Sequence, residues 1–354
     1  MGIFGLFGKK SKENHKGFYN LMIAKIHKLN SKAVAIEFDV PEELKAEFSY
    51  EPGQYITLLL NIDNNEYRRS YSICSHPNEP LQIAIKRVEN GVVSNWMNDL
   101  KDLSKPISVS PPTGNFTLPK DVKSFVAIAA GSGITPILSI LKSKASEIDC
   151  TLIYGNKTQE EALFMNELDE IPLKSTFHFL SREHLASIRH GRIDKESLTL
   201  LIKENIELLK NDYFLICGPE EMIHSSKETL QFFGLSEEKI RFELFTTPVK
   251  ISEQKKPAAF DGESTVTVIV DDDEATFELA SNGSSLLDAT EEEGLDVPYS
   301  CRGGVCCSCK AKVLEGSASM DLNYSLSDQE VKDGYILTCQ AHPTSENLKI
   351  SFDE

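Results

Sequence analysis

The feature that most constrains this chain is the segment CRGGVCCSCK at residues 301–310, which holds four of the eight cysteines. Cys301, Cys306 and Cys309 are spaced C-x4-C-x2-C, and Cys339 follows 30 positions later. This is the ligand spacing of plant-type [2Fe–2S] clusters. The spacing predicts that these four thiolates bind such a cluster, so the fold must bring residue 339 back to the loop.

The remaining cysteine of the loop, Cys307, does not fit this spacing. Two adjacent residues rarely aim both sulfurs at one cluster, so Cys307 is interpreted as a packed or loop thiol. Gly303 and Gly304 allow the backbone to wrap tightly and to point N–H groups at sulfurs. Structural zinc is the alternative, but it usually needs a second C-x2-C or a histidine pair, for which His342 alone is a poor substitute.

The chain of 354 residues is long enough for two or three domains. Residues 1–17 are apolar and then basic, the wrong order for a secretory signal, and predict a loose tail, with transient membrane contact as the alternative. No apolar run predicts stable membrane insertion. Cysteines clustered near one end favour a reducing cytoplasm over a disulfide-stapled secreted protein.

Residues 18–118 contain six short segments of strand-like composition separated by turn signals, which predict a small antiparallel β-barrel. The segments are YNLMIAKI, AVAIEFDV, QYITLLL, RRSYSIC, LQIAIKRV and PISVS.

Residues 119–246 alternate apolar runs with helical patterns, which predicts a doubly wound α/β domain with a parallel sheet. TQEEALFMNEL and PEEMIHSSKETLQFF are the clearest helical patterns. Residues 247–263 are rich in Lys, Pro and small residues and predict a linker. Residues 264–354 predict a small domain with a hairpin around DDDE, a helix ending at Gly294, and late strands ILTCQAH and NLKISF.

The negative charge is concentrated in this last domain. Residues 263–354 contain 19 acidic and 5 basic residues, a net charge of −14, which leaves −3 of the total −17 for the first 262 residues. Such a field repels nucleic acid and favours docking to a basic protein surface. A solvated acidic face that only keeps the protein in solution is the alternative.

One strand of the first domain carries groups suited to a flavin. Alternation along RRSYSIC places Arg69 and Tyr71 on one face and Ser72 on the other. An aromatic ring can cover a flavin face, a guanidinium can pair with its pyrophosphate, and a hydroxyl can reach its N5 edge. The R-x-Y-S pattern alone is also typical of an ordinary edge strand.

The segment KRVENGVVSNW strengthens this interpretation. Lys86 precedes a turn at Gly91 and the start of a short helix. The N–H groups at such a helix start, including those of Val93 and Ser94, are suited to a phosphate.

In the second domain, AAGSGITPILSIL follows a strand and opens a helix, which is typical of a dinucleotide-binding turn. It contains Gly131 and Gly133 but lacks the third glycine of G-x-G-x-x-G. Thr135 is predicted as the helix N-cap and Pro136 as the first helical residue.

These segments, together with CGPEEM after YFLI, resemble the ferredoxin–NADP reductase superfamily, and residues 263–354 resemble a plant-type ferredoxin of the β-grasp fold. The resemblance implies FAD rather than FMN. It places Arg69, Tyr71, Ser72, Lys86, Gly91 and Ser94 at the flavin. It also places Gly131, Gly133, Thr135 and Pro136 near the nicotinamide dinucleotide's pyrophosphate, and Cys217, Gly218 and Pro219 near the nicotinamide.

The resemblance also places the segment RFELF at the flavin. Ser72, Cys217 and Glu243 are then the candidates around a hydride path. Phe245 stands where the family has a tyrosine, so it is interpreted either as a ring over the flavin or as core packing of its strand.

The nicotinamide cofactor is predicted to be NADPH, with NADH as the alternative. No carboxylate ends TLIYGN to bind a ribose hydroxyl, whereas an arginine can hold a 2′-phosphate. Ser181 and Arg182 follow a strand, and Lys157 and Arg192 add positive charge. Glu183 beside Arg182 leaves a solvated Ser-Arg-Glu loop as the other interpretation.

The order of the three segments resembles the reductase components of multicomponent oxygenases. The resemblance implies transfer of a hydride from NADPH to FAD, and of single electrons through a [2Fe–2S] cluster to an oxygenase or another acceptor with a basic surface. Reductases of other ring- or steroid-hydroxylating systems, and a redox sensor, are the alternatives.

Overall fold

The computed structural model describes residues 17–245, 260 and 262–354. The expected tail over 1–17 and linker over 247–263 lie almost entirely outside these residues. None of the helices in the described ranges is long and apolar enough to cross a bilayer.

The first domain is an antiparallel β-structure, and each of the six predicted segments contains a strand. Its elements are β1 (Tyr19–Asn30), β2 (Ala33–Asp39), β3 (Tyr55–Ile62), β4 (Asn65–Ser72), β5 (Gln82–Lys86), α1 (Val92–Asp99) and β6 (Ile107–Val109), with a 3₁₀ turn at Glu42–Leu44. The strand order is β4-β3-β6-β1-β2-β5. A bridge between Ile73 and Ile83 joins the two edges, so the sheet curls into a barrel around a core of buried aliphatic side chains.

The second domain is a six-stranded, fully parallel sheet flanked by helices. Its elements are β7 (Ser124–Ala130), α2 (Ile134–Lys144), β8 (Asp149–Asn156), α3 (Met165–Glu170), β9 (Ser175–Leu180), β10 (Arg189–His190), α4 (Lys195–Glu204), β11 (Tyr213–Cys217), α5 (Glu220–Phe232) and β12 (Ile240–Glu243). The strand order is β10-β9-β8-β7-β11-β12. The order reverses beside β7, and ligands of such sheets bind at the carboxyl ends of the strands at this reversal.

The prediction of a helix along TQEEALFMNEL is wrong in its first half, because α3 begins only at Met165. Phe164 adopts a left-handed conformation with φ of 60°, which interrupts helical winding. The buried Tyr154 hydroxyl accepts a hydrogen bond of 3.1 Å from the Leu163 N–H and fixes the preceding loop. A tertiary contact therefore overrides the local helix preference.

The third domain is a five-stranded mixed sheet with α6 packed on it. Its elements are β13 (Glu263–Val270), β14 (Asp273–Ala280), α6 (Leu286–Glu292), β15 (Lys310–Glu315), β16 (Ala318–Met320), α7 (Asp328–Lys332), β17 (Tyr335–Leu337), β18 (Ala341–Pro343) and β19 (Asn347–Ser351). The order is β14-β13-β19-β15-β17, with β13 and β19 parallel at the centre. The three architectures together confirm the predicted fold class.

The segment ILTCQAH was predicted as one strand, and this prediction is wrong. It forms β17, a 3₁₀ turn at Thr338–Gln340, and β18. The Thr338 N–H and hydroxyl both bond to the Cys309 carbonyl at 3.0 Å, which bends the chain at this point. Cys339 therefore lies in a turn beside the cysteine loop.

Candidate functional site

The four predicted cluster ligands come together around the loop at 301–309. The Sγ atoms of Cys301 and Cys306 are 3.1 Å apart, and the Cys339 thiol contacts both Cys301 and Cys309. The Gly303 N–H points at the Cys301 sulfur at 3.3 Å. These contacts lower the pKa of Cys301, with Cys306 and Cys339 contributing most, and the same contacts raise the pKa values of Cys306 and Cys339, so the sulfurs share protons as one group when no metal is bound.

The donor set fits a [2Fe–2S] cluster. Among the described residues, no three His, Cys, Asp or Glu side chains are arranged around a single metal ion. A [2Fe–2S] cluster needs a different arrangement from a single ion, because its four thiolates are divided between two irons and lie in one packed group. His342, the histidine considered for zinc, instead lies 3.6 Å from the Asp321 carboxylate.

Cys307 takes a separate role. Its sulfur lies 3.5 Å from the Ser325 carbonyl, outside the group of four, and burial raises the pKa of its thiol to about 11. It stays a neutral thiol near pH 7, in keeping with the packed or loop thiol inferred from the spacing.

A cavity of about 930 Å³ lies between the barrel and the cysteine loop, and its size suits an organic cofactor. Its wall includes every residue predicted to bind the flavin, namely Arg69, Tyr71, Ser72, Lys86, Gly91, Val93 and Ser94. Cys301 and Cys306 line the same cavity. The residues present therefore fit a flavin held next to an iron–sulfur cluster.

In the KRVENGVVSNW segment, Ser94 and Lys86 make different kinds of contact. The Ser94 hydroxyl accepts the Val88 N–H at 3.1 Å and lies 3.3 Å from the Gly91 carbonyl, so it holds the turn that starts α1. Lys86 Nζ lies 3.6 Å from Glu161 of the second domain, and burial lowers its pKa. Lys86 thus contributes its charge at the junction of the first two domains.

Ser72, Glu243 and Cys217, the three residues considered for the hydride path, are brought together. The Ser72 hydroxyl lies 3.4 Å from Glu243 Oε2. Cys217 and Glu243 are register partners at the ends of β11 and β12. Burial raises the pKa of Glu243 to about 8 and also raises that of the Cys217 thiol, so both groups hold protons near neutral pH.

The dinucleotide turn differs from its prediction at the helix start. A 3₁₀ turn at Gly131–Gly133 begins the winding early, so Gly133 is the N-cap of α2, Thr135 is its second residue and Pro136 its third. Gly131 enters this turn with φ of 55°, which favours glycine. The Thr135 hydroxyl instead bonds back to the Ser132 carbonyl at 2.9 Å.

The residues considered for the nicotinamide follow β11 directly. Cys217 ends this strand, Gly218 follows, and Pro219 is the N-cap of α5. They occupy the carboxyl edge of the sheet beside the Gly131–Gly133 turn, and a Cβ on Gly133 would lie 2.1 Å from the Cys217 carbonyl oxygen.

The positive groups considered for a 2′-phosphate lie at the same edge of the sheet. Ser181 and Arg182 follow β9, and the Arg182 N–H bonds to the Lys157 carbonyl at 2.8 Å. The Glu183 carboxylate accepts the Gln159 N–H at 2.8 Å, so it is engaged by backbone. Arg192 lies 3.6 Å from Glu221 in an exposed pair.

Phe245 lies at the cavity and not in the core of its strand. Its side chain is 41% exposed, while the neighbouring Leu244 is 4% exposed and packs in the second domain. Phe245 also lines the cavity, so core packing does not describe it.

Several residues between the barrel and the cysteine loop were not predicted. Arg68 reaches Asp296 and Val297, Ser70 bonds to Ser300 at 2.8 Å, and the Tyr55 hydroxyl accepts the Cys307 N–H at 3.1 Å. No local pattern marks these pairs, because most of the partners are more than 220 positions apart. The only signal was the adjacency of Arg68 and Ser70 to the flavin-like strand.

Three domain families match the chain in order. They are an oxidoreductase FAD-binding domain over residues 20–118, an oxidoreductase NAD-binding domain over 127–228, and a 2Fe-2S iron-sulfur cluster binding domain over 268–344. The cofactors FAD, a nicotinamide dinucleotide and [2Fe–2S] are therefore those of these domains, and the protein is an oxidoreductase.

Similar proteins match this chain over nearly their full length. The chain is 36% identical to a subunit of 1,2-phenylacetyl-CoA epoxidase from Escherichia coli strain K12, over 95% of this chain and 98% of that relative. It is 32% identical to the ferredoxin reductase component of 3-ketosteroid-9-alpha-monooxygenase from Rhodococcus rhodochrous, over 90% and 92%.

Among solved structures, phthalate dioxygenase reductase superposes with a TM-score of 0.60 and 25% identity, covering 95% of this chain and 98% of that one. It is described as a modular structure for electron transfer from pyridine nucleotides to [2Fe–2S]. The chain belongs to the ferredoxin–NADP reductase superfamily, among the oxygenase reductases that carry a C-terminal plant-type [2Fe–2S] ferredoxin domain.

Proposed function

We propose that this protein is the reductase component of a multicomponent oxygenase, which oxidises NADPH and delivers electrons one at a time to the oxygenase. The observation that carries the proposal is the shared cavity, whose wall combines the flavin-type residues of the barrel with Cys301 and Cys306. When bound, FAD accepts two electrons as a hydride equivalent and the [2Fe–2S] cluster carries one electron.

The chain's own residues would position the flavin and the cluster and would hold one proton. Arg69 and Lys86 supply positive charge for the pyrophosphate of the flavin, and Tyr71 supplies a ring at the cavity wall. Ser72 and Glu243 form a hydrogen-bonded pair that can hold a proton at Glu243 near neutral pH. Cys217 remains a neutral thiol and contributes packing.

NADPH is the proposed electron source. The guanidinium of Arg182 is exposed and makes no hydrogen bond or ion pair with any residue that the structure describes, whereas Glu183 is held by the Gln159 N–H. The Glu183 carboxylate therefore does not neutralise the positive charge of Arg182. This supports a role for Ser181 and Arg182 in binding a 2′-phosphate.

The proposed acceptor is an oxygenase with a basic docking surface, in the cytoplasm, and phenylacetyl-CoA epoxidase is the favoured system. The epoxidase relative is 36% identical and the 3-ketosteroid system's reductase 32%, so a steroid hydroxylase is the alternative. NADPH consumption coupled to purified epoxidase or hydroxylase components would separate the two systems.

The first experiment is an anaerobic titration of the purified protein with NADPH, followed by visible absorption and low-temperature electron paramagnetic resonance. The proposal expects bleaching of the flavin together with a rhombic [2Fe–2S] signal. Flavin bleaching without a cluster signal would contradict the proposed electron path. Absence of flavin would contradict the role of the first domain.

A further inference from the structure

Arg68, which no motif marked, is a buried cation at the boundary of two domains. It belongs to β4 of the barrel and is 6% exposed. Its guanidinium donates to the Val297 carbonyl at 3.3 Å and lies 3.2 Å from the Asp296 carboxylate, both in the third domain. Glu66, on the same strand, lies 3.1 Å away. A buried guanidinium needs such partners, and Arg68 has those of the third domain only while the two domains stay together.

The same guanidinium also packs on an aromatic ring. Tyr299 lies between two arginines, with the Arg68 carbon 4.3 Å and the Arg302 carbon 4.1 Å from the ring centroid. Arg302 is anchored in turn on α6 by Asp288 and Glu291. Cation–π contacts strengthen when they are removed from water, so this arrangement links β4 to the third domain through one ring.

The linked ring is next to the cluster ligands. Tyr299 is two residues before Cys301, and the intervening Ser300 bonds to Ser70 of β4 at 2.8 Å. At the other side of the loop, the Tyr55 hydroxyl of β3 accepts the Cys307 N–H at 3.1 Å. Two neighbouring strands of the barrel therefore hold the cysteine loop on both sides.

We infer that Arg68 is a positioning residue: acting through Tyr299, it holds the cysteine loop against the flavin cavity and so sets the rate at which electrons cross from the flavin site to the cluster. The inference rests on the proposed function, and it adds a residue and a contact that neither the motifs nor the family matches supply. Electron transfer slows steeply as the distance between the flavin site and the cluster increases. Only molecules whose cysteine loop lies against the barrel therefore transfer electrons quickly, and the observed rate falls in proportion to their fraction.

The test uses the cofactor-loaded full chain with Arg68→Met, Tyr299→Leu and Tyr299→Phe. After anaerobic rapid mixing with NADPH, flavin bleaching is followed by absorbance and cluster reduction by freeze-quench electron paramagnetic resonance. In Arg68→Met and Tyr299→Leu, cluster reduction is expected to slow about tenfold more than flavin bleaching. The first variant loses the charge-assisted contacts to the third domain and both lose the cation–π contact. Tyr299→Phe keeps the ring between the two arginines and should retain the native ratio of rates.

Hydrogen–deuterium exchange of residues 296–300 supplies a readout independent of turnover. Exchange should be faster in Arg68→Met and native in Lys174→Ala, which breaks an exposed ion pair with Asp149 elsewhere in the chain. The inference would be overturned if Arg68→Met kept both the native ratio of cluster reduction to flavin bleaching and the native hydrogen exchange of residues 296–300. A Tyr299→Phe variant that behaves like Tyr299→Leu would also overturn it. If NADPH fails to bleach the flavin in the native protein, the proposed function fails, and exchange alone then decides whether Arg68 holds the loop.

Discussion

At the residue scale, the chemistry of the cavity depends on side chains whose protonation is set by burial. Glu243 is a carboxylic acid with a pKa of about 8 because burial disfavours its charged form, and the Ser72 hydroxyl offsets only part of this effect. The same environment keeps Cys217 protonated. Glu243 thus presents a neutral hydrogen-bonding group to the cavity, whose charged lining residues include Arg69 and Lys86.

Replacement of Glu243 tests this protonation state through stability. A carboxyl whose pKa rises from 4.5 to about 8 on folding contributes stability that is fully present below 4.5 and is lost as pH rises through about 8. Glu243→Gln cannot ionise and should escape this loss. In the chain without bound flavin, the unfolding free energy of Glu243→Gln relative to the native protein should rise between about pH 5 and pH 9.

The control for this prediction is Glu238→Gln, at an exposed position on the surface of the second domain. Urea unfolding at several pH values gives the comparison. Native and Glu243→Gln curves that stay parallel across the range would contradict a buried, protonated Glu243.

The proposed role of Arg182 in cofactor choice is also tested at the residue scale. Arg182→Ala should raise the KM for NADPH about tenfold or more, because a charge-assisted contact to the 2′-phosphate is lost. The KM for NADH should change by less than about twofold, since that cofactor lacks the phosphate. Steady-state kinetics with both cofactors measures the split, and equal effects on both would assign Arg182 a role other than phosphate recognition.

At the element scale, the junction between β7 and α2 requires close approach of two backbones. The Gly131–Gly133 turn passes so near the end of β11 that a Cβ on Gly133 would lie 2.1 Å from the Cys217 carbonyl oxygen and 2.8 Å from the Gly218 nitrogen. Backbone atoms cannot move aside as a flexible side chain can. The turn predicted to face the dinucleotide is therefore also a packing contact between the ends of two parallel strands.

Gly133→Ala should destabilise the second domain by about 1–3 kcal/mol, because overpacking forces the backbone to shift. NADPH binding should weaken in parallel. The unfolding temperatures of Gly133→Ala and Ser132→Ala are compared, since Ser132 is the residue just before Gly133 in the same turn. A native unfolding temperature for Gly133→Ala would show that the two backbones are not in contact.

The elements predicted well from sequence are those defined by local pattern. Strand-like segments located the six barrel strands, and apolar runs located β7, β8, β9 and β11, whereas β10 was not predicted. The C-x4-C-x2-C spacing together with Cys339 identified the four thiols that converge. The errors lie where a contact that the apolar pattern does not show sets the local structure. The Tyr154 hydroxyl holds the loop before α3, Cys309 bends the chain at Thr338, and the Gly131 turn moves the start of α2 ahead of Thr135.

At the scale of the whole molecule, the charge is divided between the domains. The third domain carries −14, and its hairpin tip at 271–274 and the end of α6 are acidic. The contacts that join this domain to the barrel could not be predicted. Arg68 and Tyr299 are separated by more than 200 positions, and no sequence pattern relates them. Only the folded chain shows that the acidic domain meets the barrel through a buried arginine and through hydrogen bonds made by Tyr55 and Ser70.

Raising the ionic strength from about 0.05 M to 0.5 M should slow reduction of the oxygenase about tenfold, because salt screens the attraction between the acidic domain and a basic surface. Stopped-flow mixing of the reduced protein with its oxygenase measures this rate. An uncharged quinone acceptor serves as control and should show little dependence on salt. A rate to the oxygenase that is independent of salt would contradict electrostatic docking.

The parallel pairing of β13 with β19 has a consequence for synthesis of the protein. These strands are the centre of the third sheet, yet they are its first and last strands in the chain. The barrel and the parallel sheet can complete while translation continues, but the cysteine loop waits for residues 347–351 to leave the ribosome. Iron and sulfide can therefore be enclosed only once residues 347–351 have been synthesised, when all residues of the two preceding domains are already available to fold.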